Sequence, residues 1–109
     1  MKHNDWVSAR VYNIGYHFVW STKYRQSALT SPIDVRLKEI LLEIAHEYDF
    51  IIESMEVMPD YCHVFVVAHP KHSPSTLIKL MKGISARRLF QEFTVLKKKL
   101  SRGHLWNPS

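Results

Sequence analysis

Apolar and polar positions alternate along Val11–Tyr24, VYNIGYHFVWSTKY, with the two-residue period of an extended chain. Tyr16, Phe18 and Trp20 fall on one face, and His17, Val19 and Ser21 on the other. β-Branched and aromatic residues dominate, so the pattern predicts a first strand over Tyr12–Thr22, with Gly15 as a bulge position. The period then changes. Ile33, Leu37, Ile40, Leu41, Ile44, Ala45 and Tyr48 recur at helical spacing, while Arg36, Lys38, Glu39, Glu43 and Glu47 lie mostly off that stripe. Ser31 offers a capping hydroxyl, Pro32 suits the first helical position, and Asp34 suits the positive end of the helix dipole. The spacing predicts an amphipathic helix that ends near Tyr48.

Phe50–Val57 and Tyr61–Ala68 read as two further strands, and the short turn Met58-Pro59-Asp60 makes them an antiparallel hairpin. HPKHSPS is a loop, and its Ser73-Pro74 repeats the Ser-Pro start of the first helix. A second helix is expected over Pro74–Phe93, with Leu77, Leu80, Met81, Ile84, Leu89, Phe90 and Phe93 mostly inward. A short helical turn follows over Thr94–Leu100, and GHLWNPS reads as a loop. The order predicts an α+β fold: a ferredoxin-like βαββα arrangement without the last strand of βαββαβ, its antiparallel sheet carrying helices on one face. Length suits one domain over 1–109, with 1–10 as an N-terminal extension.

Composition narrows the classes. At 46% hydrophobic residues the chain can fill a core, which excludes a disordered segment. Net charge is +5, and VLKKKLSRGH holds Lys97, Lys98, Lys99 and Arg102 without an acid. That run suits a polyanionic partner or a plain solvated surface equally. Cys62 is the lone cysteine, so no internal disulfide can form and a reducing cytoplasm is expected. Neither a signal-peptide core nor an apolar run of membrane-spanning length occurs, so no membrane partner is expected.

Candidate chemistry centres on PDYCHVFVV. Strand parity sends Tyr61, His63, Phe65 and Val67 to one face and Cys62, Val64, Val66 and Ala68 to the other. A His-x-His pair there would aim two imidazoles at one divalent cation, but Tyr61 holds the first position. A phenol with pKa near ~10 is a poor ligand at neutral pH. His63 by itself is not a metal site, and a lone strand histidine is more often structural. His69 and His72 reach it only if their loop folds back, and parity separates Glu53 from Glu56. Lys79, Lys82, Ser85, Arg87 and Arg88 lie along the second helix; with Lys97, Lys98 and Lys99 they could track a phosphate backbone. Trp106 and Tyr61 could stack on an unpaired base; alternatively Trp106 is core and the lysines are ordinary surface.

Four blocks, YHFVWSTKYR, MEVMPDYCHVFVV, SPSTLIKLMKGISARRLFQEF and LKKKLSRGHLWNPS, resemble the single-tyrosine HUH transposases of insertion sequences, the two-hundred type, in order and spacing. The resemblance implies a small dimeric enzyme with a ferredoxin-like core that binds hairpin single-stranded DNA. It implies a divalent ion (Mg or Mn) held by two HUH histidines and a glutamine. It also implies a tyrosine on a C-terminal helix that attacks the scissile phosphate. Only His63 matches a ligand, as a remnant, because Tyr61 occupies the other histidine position. None of Tyr12, Tyr16, Tyr24, Tyr48 and Tyr61 stands in the nucleophile's place, and the 109 residues stop before the family's last strand and catalytic helix. The expectation is therefore hairpin binding without cleavage by this chain alone, no catalytic residue, and no stably bound metal. The alternatives are an enzyme completed by a full-length partner or a further C-terminal segment, a non-enzymatic regulator or inhibitor, and a decayed remnant. A homodimer or a mixed dimer is expected, with the first strand's free edge covered by Trp6–Arg10 or by a second copy.

Overall fold

The computed structural model describes residues 13–100 and 104–108. Strand β1 (Ile14–Ser21) leads through a 3-10 turn (Lys23–Arg25) to helix α1 (Ile33–Tyr48). The hairpin β2 (Ile51–Met58) and β3 (Tyr61–Ala68) follows, then α2 (Pro74–Glu92) and α3 (Thr94–Lys99). The sheet order is β1-β3-β2, with both pairings antiparallel. This is the expected α+β arrangement, with the hairpin's second strand at the centre. Residues Trp6–Arg10 lie outside the described residues, as does the whole N-terminal extension 1–10.

The alternation in β3 is realised in full. Cys62, Val64, Val66 and Ala68 are all completely buried beneath the helices. They meet Leu37, Ile40, Leu41 and Ile44 of α1 and Leu77, Met81 and Leu89 of α2. Burial pushes the Cys62 thiol well above its ordinary pKa, so it stays protonated and packs as a small apolar group. The hairpin tip is tied to the segment after β1. Asp60 O accepts from Thr22 N at 2.9 Å, and Pro59 O accepts from Leu29 N at 2.9 Å.

Three local expectations are corrected. Ser31 does not cap α1: the helix begins at Ile33, Pro32 is the N-cap residue, and its first-turn Val35 N–H donates to the Asp34 carboxylate at 2.8 Å. Ser73 does cap α2, its Oγ accepting from Thr76 N at 3.1 Å. Gly15 is not a bulge; it pairs with Val67 in continuous register, and the irregularity falls in β2 between Ile52 and Ser54, at Glu53. Finally, the C-terminal residues are not merely a loop. Trp106 forms an antiparallel bridge with Thr22, flanked by Lys23 N–H donating to Leu105 O and Asn107 N–H donating to Ser21 O, each at 2.9 Å.

Charged side chains clasp the two long helices together. Arg36 of α1 grips Glu92 of α2 through Nε–Oε1 (2.6 Å) and Nη2–Oε2 (3.0 Å), and reaches Glu39 and Glu43 on its own helix. Arg88 closes the set on Glu43 at 2.7 Å. The hydrogen bond from Arg36 lowers the Glu92 pKa, and that from Arg88 lowers the Glu43 pKa. Both carboxylates therefore stabilise the fold above the unfolded carboxylate pKa, near ~4.3, and lose that contribution as pH falls through the lowered folded values. Glu92→Gln is expected to lower stability modestly at pH 7, because the pair is partly solvated. In urea titrations the deficit should shrink at pH 3; an equal deficit at both pH values would show that charge pairing is not its cause.

Candidate functional site

The sheet face away from the helices gathers the polar half of the strand pattern. Register places Ser21, Val19 and His17 of β1 opposite Tyr61, His63 and Phe65 of β3, and Met58, Glu56 and Ser54 of β2 on the other side. His63 therefore has Val19 on one flank and Glu56 on the other. His17, one step diagonally away, brings its Nδ1 to 3.2 Å from His63 Nε2. The two rings stack with centroids 5.4 Å apart, and the His17 ring also lies on Phe65 at 4.5 Å. The sequence pattern alone does not give this pairing. Parity puts His17 on this face, but nothing local gives the β1–β3 register that brings it to His63.

Gly15 makes the Phe65–His17 stack possible. A Cβ on Gly15 would stand 2.8 Å from Phe65 Cζ, closer than carbon atoms approach. Gly15→Ala is expected to displace the Phe65 ring and cost about 1–3 kcal/mol, the range for overpacking. An unfolding midpoint unchanged from wild type would show that the ring moves aside freely.

At the other end of this face the chain turns sharply. Tyr24 and Arg25 adopt left-handed backbone (φ 57° and 54°), which is uncommon for side chains larger than glycine. Thr22 Oγ1 braces the turn by donating to Gln26 O at 2.6 Å. Arg25 then pairs with Asp60 at 2.9 Å and lies over the Tyr61 ring at 5.7 Å. Arg25 and Tyr61 border a cavity of about 470 Å³ beside Ser21 and Asn107. Tyr61 thus presents a half-buried ring backed by a cation.

The structure separates the expected cations. Lys79, Arg87, Lys97 and Lys98 are exposed, with no ion-pair partner among the described residues. Lys82 is half-buried and donates from Nζ to Asn107 O at 2.8 Å; desolvation lowers its pKa. Arg88 pairs with Glu43, and Lys99 donates to Ser27 O at 3.3 Å. Trp106 is core: its indole packs edge-on against Trp20 at 5.8 Å, and its Nε1 donates to Ser85 Oγ at 3.1 Å. Ser85, read from sequence as part of a binding surface, is fully buried for that reason. A second cavity, of about 580 Å³, opens where Lys79, Lys82 and Gly83 of α2 face Val19 and Trp106.

Other histidines stay apart from this face. His69 Nδ1 accepts from Lys71 N at 3.0 Å, and His72, half-buried against Phe50, has a pKa lowered by burial. Among the described residues no three His, Cys, Asp or Glu side chains converge as a metal centre. At the expected His-x-His position the donors are one imidazole and one phenol, which does not fit a two-histidine centre.

The family model for IS200-like transposases matches residues 10–109. The chain belongs to the IS200-like transposase family. It is 42% identical over 99 residues to the ISDra2 transposase TnpA of Deinococcus radiodurans, covering 91% of this chain and 71% of that one. It is 28% identical over 106 residues to the IS200 transposase of Salmonella typhimurium, covering 97% of this chain and 66% of the relative. Among solved structures, a Deinococcus radiodurans transposase superposes with TM-score 0.85 at 43% identity, over 90% of this chain and 75% of the other. A REP-associated tyrosine transposase bound to a REP hairpin superposes with TM-score 0.61 at 15% identity, over 87% and 52%, a likeness of fold. Among the described residues of this IS200-like chain, no helix is long and apolar enough to cross a membrane.

Proposed function

We propose that this transposase-family chain binds hairpin single-stranded DNA and does not cleave it unaided. The observation that carries the second half is Tyr61. It stands on the open face two residues before His63, where the family resemblance calls for an imidazole, and Arg25 and Asp60 hold its surroundings in place. Without the second imidazole the strand offers the Mg or Mn of the family too few donors, and no step of phosphate attack is assigned to this chain. Binding draws on Lys79, Arg87, Lys97 and Lys98, exposed cations, with Lys82, Arg88 and Lys99, each of which also bonds within the protein; the Tyr61 ring is available to stack on an unpaired base. The solved hairpin complex of a fold relative supports a hairpin as the ligand.

The test is fluorescence anisotropy with hairpin single-stranded DNA at several salt concentrations, beside a cleavage assay in Mg²⁺ and in Mn²⁺. Binding that weakens steeply with salt, with no covalent adduct, is the expected result. A protein–DNA adduct formed by this chain alone would overturn it.

The β1 edge favours assembly with a second strand. Among the described residues β1 pairs only with β3, apart from the Thr22–Trp106 bridge at its end. A homodimer, or a mixed dimer with a longer relative that supplies the catalytic parts, would cover this edge. Light scattering at high concentration is expected to give a dimer mass; a strictly monomeric protein with fast-exchanging β1 amides would rule this out.

A further inference from the structure

Position 61 carries a phenol where the family resemblance calls for an imidazole, and the cation beside it is a protein side chain. The turn after β1 takes Tyr24 and Arg25 through left-handed backbone and sets Arg25 over the Tyr61 ring at 5.7 Å. Arg25 Nε donates to the Asp60 carboxylate at 2.9 Å. Its Nη1 and Nη2 have no hydrogen-bond partner among the described residues. A guanidinium anchored through Nε keeps a planar pair of amino groups, which matches two oxygens of a phosphate. Asp60 holds that orientation from outside. The cavity of about 470 Å³ is lined by Val19, Trp20, Ser21, Arg25, Tyr61 and Asn107, one cation and no carboxylate. Its size is that of a small-molecule site, ~300–1,000 Å³. Tyr61 is half-buried and has no ring contact other than Arg25 among the described residues. Aromatic surface and phosphate donors therefore meet in one cavity. Val19, Trp20 and Asn107 also line the second cavity, together with Lys79 and Lys82. The two cavities adjoin along β1 and the C-terminal segment, so a strand leaving the first meets further cations in the second.

We infer that Arg25 and Tyr61 form a subsite for one nucleotide of single-stranded DNA, its phosphate on the Arg25 amino groups and its base against the Tyr61 ring. Ser21 adds a hydroxyl to the same wall. Arginine stays charged and accepts no proton, so the subsite holds a phosphate without activating a hydroxyl to attack it. The inference rests on the single-stranded DNA reading above and assigns it a residue pair outside α2 and α3.

The unaltered protein, kept in EDTA and titrated with the single-stranded trinucleotide of thymidine, is expected to show amide shifts centred on Ser21, Arg25 and Tyr61. Arg25→Lys keeps the charge but loses the planar fork, and should weaken binding by at least about fivefold. Tyr61→Leu removes the stacking ring and should weaken it about tenfold. Lys71→Ala, in the loop at the other end of β3, should leave affinity within about twofold, because its charge is distant and screened. Inorganic phosphate alone should shift Ser21 and Arg25 and bind more weakly; phosphate held as tightly as the trinucleotide would overturn the nucleotide assignment. Shifts confined to α2 and α3, or undiminished affinity in Arg25→Lys, would overturn the subsite even where the hairpin binds. A hairpin that fails to bind, beside trinucleotide shifts at Arg25 and Tyr61, would overturn the hairpin reading alone.

Discussion

Trp106→Ala is expected to lower stability by about 3–5 kcal/mol, the usual cost of truncating a buried tryptophan. Domains of this size are stable by only ~5–15 kcal/mol, so the change removes a large fraction of the total. The size follows from what the side chain touches. Trp106 is 6% exposed, meets Trp20 edge to face, and donates to buried Ser85 Oγ from outside α2. Truncation opens a void between β1 and α2 and leaves Ser85 with only its own bond to Lys82 O at 3.3 Å. It also frees the segment whose backbone brackets Thr22 and whose Asn107 O receives Lys82. Thermal unfolding should show a midpoint lower by roughly 15–30 °C. Trp106→Phe keeps most of the packing and loses the donor, so it should cost much less; Ser85→Ala alone should cost about 1 kcal/mol. If Trp106→Ala falls by less than the Ser85 substitution, the indole is not a keystone of this corner.

That corner also shows where sequence and structure part. Period-two and period-3.6 patterns depend on neighbours within a few residues, so Val64, Val66, Leu37 and Ile40 declared their burial from the chain alone. The hairpin was equally legible, because Pro59-Asp60 sits between two strand patterns. Ser85 was not: a serine flanked by Lys82 and Arg87 looks like surface until a tryptophan 21 residues later claims its hydroxyl. The Ser31 cap failed for a similar reason. Ser31 and Ser73 both precede a proline, but only Ser73 turns its hydroxyl back onto its helix. Gly15 is small because it admits Phe65 from the next strand, a demand visible only across the sheet, and the irregularity lies instead at Glu53. The candidate site divides along the same line. The face of each residue follows from parity, so His63 and Tyr61 were placed correctly, whereas the approach of His17 to His63 depends on register between strands more than forty residues apart. Of the basic residues, the sequence could count charges but could not tell that Arg88 is spent on Glu43 while Arg87 beside it is exposed.

Tyr61→His is expected to raise divalent-metal affinity by about a hundredfold over the native chain. Position 61 shares its face with His63 and lies two residues before it, so a new imidazole would complete a His-x-His pair with His63. Two imidazoles then face one volume, and each nitrogen donor favours zinc, cobalt or nickel. The substitution has a cost without metal. Tyr61 is half-buried under Arg25, and losing that cation–π contact removes about 0.5–1 kcal/mol. The metal-free variant should therefore melt slightly below the native chain. In saturating Zn²⁺ the order should reverse, since a ligand that binds only the folded state stabilises it in proportion to the logarithm of its concentration over Kd. Tyr61→Phe separates the two roles: it keeps the ring under Arg25, lacks the hydroxyl, and should bind Zn²⁺ as the native protein does. Were Tyr61→His to bind Zn²⁺ no more tightly than Tyr61→Phe, position 61 would not face the metal.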